Sequence, residues 1–373
     1  MLAQAVMLGS LVPAHIQNIA PYIPSKPDDV LCEMFNCQQI YRLNNNENAL
    51  GPTPEAKAAM IKFNPRAAAI YPSGDAYHLR HRLGERFGLD PDAFVVGNGA
   101  NEVIAFVINA FCQAGDNIIT ADKTFAVYEW VAEFSGFKAK LIPLKDYCFD
   151  AESMLKAIDD RTKILFVCNP NNPTGTYWNE QQLRDFLDRV AGRQIVVIDE
   201  AYAEFVEAPD FPDGMKLIKE YPNVVVFRTF SKMYGLAALR IGYMAGAPEV
   251  VDVIRRTCVV YSVNAMAQTA ALATMNNTGE HVAATRRLVW EAKNYLQQEL
   301  TNMGLFHIAG EGNYMMIRLP ISDTLAYRKL MQQGFMVRTM TGFRFPNHIR
   351  VTMETLPVME GFIRALKASL PII

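Results

Sequence analysis

KILFVCNPNNPTG, residues 163–175, decides how the chain is read. After Lys163, five apolar residues follow without alternation, which suits a strand buried on both faces, as in a parallel sheet covered by helices. The rest, Asn169-Pro-Asn-Asn-Pro-Thr-Gly175, is a turn whose two prolines restrict the backbone and so hold side-chain amides still. Alone, it reads equally well as an ordinary Asn/Pro loop.

Six further stretches share the texture of that strand: FVVGNGAN (94–101), DNIITADK (116–123), AKLIPL (139–144), QIVVIDEAY (194–202), NVVVFRTF (223–230) and RIGYMAG (240–246). Helical segments separate them. NEVIAFVINAFCQAG (101–115) closes at Gly115, and NEQQLRDFLDRVAG (179–192) opens on Asn179 as N-cap and stops at Gly192. The pattern predicts an α/β fold whose mostly parallel seven-stranded sheet is flanked by helices. Beyond residue 265 the texture changes. Two helical stretches fill 265–304, broken near Asn276–Gly279, and strands are expected at 314–320, 334–340 and 348–354. The expected organisation is an N-terminal arm (1–45) packing on the small domain, a large domain (46–268) and a smaller α+β domain (269–373).

The 373 residues are half hydrophobic, enough for a large core. Thirty-six Lys+Arg against 38 Asp+Glu leave a net charge of −2, with no basic footprint for nucleic acid and no polybasic membrane patch. No apolar run approaches the roughly 18 residues of a membrane span. No Lys or Arg precedes Lys26, so the charged start of a secretory signal is missing. The six cysteines lack any C-x-x-C and the histidines are scattered, which predicts reduced thiols and no metal site. A cytoplasmic enzyme is the expectation.

Four clusters carry chemistry, each at a strand end or in the loop after it, where open α/β sheets bind ligands. One is the Asn169–Gly175 turn. Asp199-Glu-Ala-Tyr202 follows a very apolar strand, so the carboxylate needs a cationic or hydrogen-bonding partner, either a ligand or a structural ion pair. Thr229-Phe-Ser-Lys232, with Arg240 eight residues on, offers a desolvated amine suited to a carbonyl beside two hydroxyls and a guanidinium suited to phosphate. Gly97-Asn-Gly-Ala-Asn-Glu102 opens a helix whose free N–H groups can hold phosphate oxygens. Each is weak singly. Together they offer a lysine for a carbonyl, a carboxylate for a ring nitrogen, Asn and Tyr for a phenolic oxygen and a cup for phosphate. Those are the needs of pyridoxal 5′-phosphate.

On these residues the sequence resembles fold-type I pyridoxal-phosphate enzymes of the aspartate aminotransferase superfamily, and more narrowly the histidinol-phosphate aminotransferase family. The narrower likeness rests on Leu43-Asn-Asn-Asn-Glu-Asn-Ala-Leu-Gly-Pro-Thr-Pro54, Tyr71-Pro72, the Gly97–Glu102 turn, the Ser231-Lys232…Arg240 spacing and Ile349-Arg350-Val-Thr, across residues 18–365. The resemblance implies an aspartate-aminotransferase-like fold and ping-pong transamination of histidinol phosphate with 2-oxoglutarate. An aromatic amino acid, or decarboxylation of a phosphorylated amino acid, is the alternative.

By matching position, the resemblance makes Lys232 the Schiff-base lysine and proton shuttle, Asp199 the partner of the pyridine nitrogen, and Asn172 and Tyr202 the holders of the phenolic oxygen. Phe125 would stack on the ring. Gly99, Ala100, Asn101, Thr229, Ser231 and Arg240 would grip the phosphate. Arg350 would clamp the substrate α-carboxylate, Arg338 would meet the distal anion, with Arg344 as the other candidate, and Asn48 would touch substrate. Tyr71 would reach into the neighbouring site of a homodimer. Ala49 departs from the proline usual after N-E-N, and Met340-Thr-Gly-Phe-Arg-Phe-Pro is unusually aromatic and basic. Tyr128 and Trp130, near the cofactor strand, read as core.

Overall fold

A computed structural model describes residues 11–21 and 24–371. Its described residues hold twelve strands: β1 (Tyr41–Leu43), β2 (Phe94–Gly97), β3 (Asn117–Ala121), β4 (Lys138–Ile142), β5 (Thr162–Cys168), β6 (Ile195–Asp199), β7 (Val224–Thr229), β8 (Gly242–Gly246), β9 (His307–Ile308), β10 (Tyr314–Arg318), β11 (Phe335–Thr339) and β12 (His348–Thr352). The seven expected from their apolar runs form one sheet in the order β2-β8-β7-β6-β5-β3-β4. Pairing is parallel from β7 through β6, β5 and β3 to β4, and antiparallel on both sides of β8. Two antiparallel steps return β2 to the direction of β7. The carboxyl ends of β2, β3, β5, β6 and β7 therefore share one edge of the sheet.

The core explains why these strands read as they do. Val196, Val197, Ile198 and Val224–Val226 are all buried, so neither face of the central strands meets water. Helices cover them. Ala100–Phe111 stops at Phe111 instead of reaching Gly115, because Cys112 turns extended while Gly115 takes a left-handed φ of +90° in the following turn. Glu180–Val190 opens on Asn179 as N-cap, as its sequence predicts, with Gln182 completing a capping box, and Ala191 and Gly192 both turn left-handed after it.

The smaller sheet runs β1-β11-β12-β10-β9. Its first strand comes from the far end of the chain: β1 pairs parallel with β11, Tyr41 opposite Phe335. The helix Asp28–Phe35 packs Leu31 on Met331 and Met336 of this layer. Ala14–Gln17 lies elsewhere, with the His15 ring against Gly136 beyond the large sheet's helix Val127–Phe134. The two helices Ala265–Thr274 and Gly279–Asn302 carry the chain between the sheets, broken where the sequence places the break. Among the described residues no helix is long and apolar enough to cross a membrane, and no cluster of His, Cys, Asp and Glu is able to hold a metal.

Candidate active site

The shared strand edge gathers the predicted residues. Asp199, the last residue of β6, is 3% exposed. Its Oδ2 accepts the Tyr128 hydroxyl at 2.5 Å and its Oδ1 the Ala201 N–H at 3.1 Å. Burial pushes its carboxyl above the ordinary range, while the two donors and the charge of Lys232 pull it back. The neighbouring Glu200 points to the other face of the strand and makes the structural ion pair, its Oε2 accepting from Arg228 Nε and Nη2 at 2.9 and 2.7 Å. Asp199 has no such cation bonded to it. It faces the site.

Lys232 lies three residues past β7. Its loop is fastened to the Leu43–Pro54 segment: a methyl group on Gly235, at φ +66°, would collide with the Gly51 carbonyl, and Asn48 Nδ2 donates to the Met233 carbonyl at 2.7 Å. Lys232 Nζ donates to the Asn45 carbonyl at 2.7 Å and lies 6.0 Å from the centre of the Tyr202 ring. Burial lowers this amine to about 8, with the positive charge of Arg350 adding to the effect. An amine at that value is a usable nucleophile near neutral pH.

Asn48 is a correction to the sequence reading. Its Nδ2 is shared among the Met233 carbonyl, His281 and Thr285, and its Oδ1 accepts the Leu50 N–H at 2.9 Å. Its Nδ2 therefore ties the lysine loop to the helix Gly279–Asn302, its Oδ1 shapes its own segment, and both ends of the amide are taken up within the protein.

Beside Lys232 the chain forms a cup. Gly99 is the N-cap of Ala100–Phe111 and supplies no side-chain cap, so the N–H groups of Ala100 and Asn101 stand open at the positive end of the helix. Gly99 has φ +81°, and a Cβ there would strike the Arg240 guanidinium, so only glycine lets this arginine close on the turn. Thr229 and Ser231 are buried beside it, the Ser231 N–H donating to Thr229 Oγ1 at 3.0 Å. Glu102, the one acid of that first turn, is held by Asn98 N–H at 2.6 Å and Ser262 Oγ at 2.7 Å.

The smaller sheet brings the arginines. Arg350, on β12, is 5% exposed; its Nη1 donates to Asn172 Oδ1 at 2.5 Å and its Nη2 to the Asn44 carbonyl at 2.7 Å, while its Nε has no partner. Arg338, on β11, sits directly opposite and lies over the Phe343 ring at 5.6 Å. No carboxylate among the described residues pairs with it. Arg344 is different: it grips Glu129 with two hydrogen bonds of 3.0 and 2.8 Å and also donates to the Asp122 carbonyl at 3.0 Å. It is a strut between the two sheets' layers.

Tyr202 completes the group. Its hydroxyl accepts Asn46 Nδ2 at 2.8 Å, so its own hydrogen is free to point elsewhere. Burial raises it to about 12, so it stays a donor at neutral pH. Asn46 is held in turn by Thr352 Oγ1, which accepts its N–H at 2.9 Å. The sequence reading passed over both Asn46 and Thr352. Phe125 sits edge-on to Tyr128 at 5.6 Å, and Tyr71 lies outside the pocket, 80% exposed, against Tyr261 at 4.9 Å.

The residues fit pyridoxal phosphate: a lowered amine, a buried carboxylate without a bonded cation, an uncapped helix end closed by Arg240, and an arginine with an orphaned Nε. Fold and site together define the class of fold-type I pyridoxal-phosphate-dependent aminotransferases. The model of the family "Aminotransferase class I and II" matches residues 38–366. A histidinol-phosphate aminotransferase of Symbiobacterium thermophilum is 38% identical over 97% of this chain and 99% of its own. Histidinol-phosphate aminotransferase 2 of Pseudomonas fluorescens Pf-5 is 37% identical over 96% of both. The crystal structure of the Sinorhizobium meliloti histidinol-phosphate aminotransferase with pyridoxal-5′-phosphate shares the fold, with a TM-score of 0.85 at 21% identity over 96% of this chain and 97% of that one. The chain belongs to the histidinol-phosphate aminotransferase family.

Proposed function

We propose that this chain moves the amino group of histidinol phosphate to 2-oxoglutarate in two half-reactions sharing one pocket. The observation that carries the substrate assignment is Arg338, a guanidinium with no acidic partner among the described residues, directly across the strand pair from Arg350. A free guanidinium suits an anion, and each half-reaction brings one: the phosphate of histidinol phosphate and the distal carboxylate of glutamate. Full-length similarity to relatives bearing that name supports the same reading.

When bound, pyridoxal phosphate supplies a carbonyl for the amine and an electron sink for the carbanion. The chain's own groups do the rest. Lys232, at about 8, presents a substantial neutral fraction and can take and return a proton at Nζ. Asp199 accepts a ring N–H and keeps it in place. Tyr202 and Asn172 address the phenolic oxygen, the former with a hydroxyl hydrogen that Asn46 leaves free. The Gly99–Asn101 amides with Thr229, Ser231 and Arg240 hold the phosphate. Arg350 orients an α-carboxylate for glutamate, and Arg338 the distal anion.

We further propose a homodimer in which Tyr71 enters the neighbouring site. Tyr71, Ile70, Val259, Val260 and Tyr261 are exposed, an apolar group that a second copy would cover.

The test is a single-turnover absorbance experiment on the purified protein with pyridoxal phosphate. Histidinol phosphate should convert the aldehyde-form band to the amine form, and 2-oxoglutarate should restore it. A faster response to phenylalanine would shift the assignment to aromatic amino acids. Release of carbon dioxide without any keto acid would make the protein a decarboxylase.

A further inference from the structure

Tyr128 belongs to a stretch, TFAVYEW, that reads as core, and its ring is core: it stacks on Phe166 at 4.7 Å and meets Phe125 edge-on at 5.6 Å. Its hydroxyl is not. Fully buried, it donates to Asp199 at 2.5 Å, with the Cys168 thiol as its other polar neighbour. The groups that face Asp199 are Tyr128 from the helix Val127–Phe134, Cys168 from β5, Lys232 after β7, Tyr202 after β6 and Tyr314 from β10. Burial keeps Cys168, Tyr202 and Tyr314 neutral at pH 7. Among the described residues, the other hydrogen bond to this carboxylate comes from the Ala201 N–H.

We propose that Tyr128 is a positioning residue for the ring-nitrogen contact: its O–H fixes the Asp199 carboxylate in place and holds it as an anion. This rests on the reading that Asp199 meets the cofactor's ring nitrogen. A buried carboxylate stays ionised only while donors offset its lost hydration, and a phenol at this distance is a charge-assisted donor. Without it, Asp199 keeps one backbone N–H, the balance moves toward the neutral acid, and the acid no longer attracts a protonated ring nitrogen.

Tyr128→Phe removes the oxygen and leaves both ring contacts. Full-length wild type and Tyr128→Phe, freed of cofactor and checked for folding by circular dichroism, are titrated with pyridoxal phosphate and with the analogue whose ring nitrogen is replaced by C–H. Tyr128→Phe should bind pyridoxal phosphate about tenfold or more weakly, the scale of one charge-assisted hydrogen bond. The loss should grow as pH falls and vanish with the analogue. An equal loss for both compounds would mean a packing role and overturn the proposal, as would no loss for either. If Asp199→Asn also leaves wild-type preference for pyridoxal phosphate over the analogue unchanged, the Asp199 reading itself fails, and the proposal with it.

Discussion

Arg338 and Arg350 stand directly opposite each other on the antiparallel pair β11/β12, so their side chains leave the same face of the smaller sheet. Like charges in that position are unfavourable, and the charge of Arg338 adds to burial in loosening the hold of Arg350 on its proton. The structure manages them differently. Arg350 is buried among Asn172, Asn44 and the Tyr314 ring, whereas Arg338 lies over the face of Phe343 and has no acidic partner among the described residues.

Arg338→Ala should therefore raise KM for histidinol phosphate by about ten- to a hundredfold, the loss of one charge-assisted contact. KM for phenylalanine should change little, and folding stability should not fall. Steady-state kinetics with both donors check this. Equal losses for both would remove Arg338 from the distal anion site. Arg344→Ala is the matched control, since its guanidinium is already held by Glu129.

Lys232 gives a prediction in pH. Its amine is lowered from 10.5 to about 8, chiefly by burial. The neutral fraction grows with pH, so the rate at which the cofactor-free chain captures pyridoxal phosphate should rise through about pH 8 and level off above it. The stability sign follows from proton counts. Between about 8 and 10.5 the unfolded lysine holds a proton that the folded one has released, so stability of the cofactor-free chain rises with pH across that window. Lys293, also lowered to about 8 by burial, contributes a parallel rise. Lys232→Met should reduce the slope and leave the share of Lys293. Urea unfolding at several pH values measures it, and an unchanged slope would show that Lys232 is not desolvated.

The central strands β5, β6 and β7 were legible because burial on both faces leaves continuous apolar runs, as at Val224–Phe227. β1 and β9 were not, being three and two residues long, and β1 is a strand only because β11 lies beside it. The site splits along the same line. Asp199, Lys232 and the Gly99 turn announce themselves because charge and glycine after buried strands demand a reason. Asn48 and Arg344 misled, since a motif shows an amide or a guanidinium but not its partner: Glu129 lies 215 residues from Arg344. Tyr128 was hidden for the opposite reason. A phenol with a buried ring looks like core until its one polar atom is placed.

Glu200 and Arg228 carry a prediction about stability. Glu200 is fully buried, with Oε1 accepting Gly214 N–H at 2.8 Å and Oε2 held by Arg228. Removing one partner of such a pair leaves a charge in an apolar interior. Arg228→Met should cost about 3–5 kcal/mol in denaturant unfolding, and Arg228→Met with Glu200→Gln should recover a large part. A double variant no better than the single would mean that Arg228 acts mainly through its packing on Phe87, 5.3 Å away.

Tyr71 tests the dimer, and the test depends on which subunit it serves. Its ring lies on the surface beside Tyr261, outside the pocket of its own chain. Lys232→Ala should be inactive, and Tyr71→Ala strongly impaired. In a mixed dimer, the Lys232→Ala subunit keeps its tyrosine and the Tyr71→Ala subunit keeps its lysine. If Tyr71 works across the interface, one of the two sites then has both residues, and activity returns when the two inactive proteins are mixed and allowed to exchange subunits. If Tyr71 serves its own subunit, neither site is whole and mixing restores nothing. With one variant carrying a mass tag, native mass spectrometry of the mixture establishes that exchange has occurred, so a failure to recover activity is evidence against the shared site rather than against the dimer.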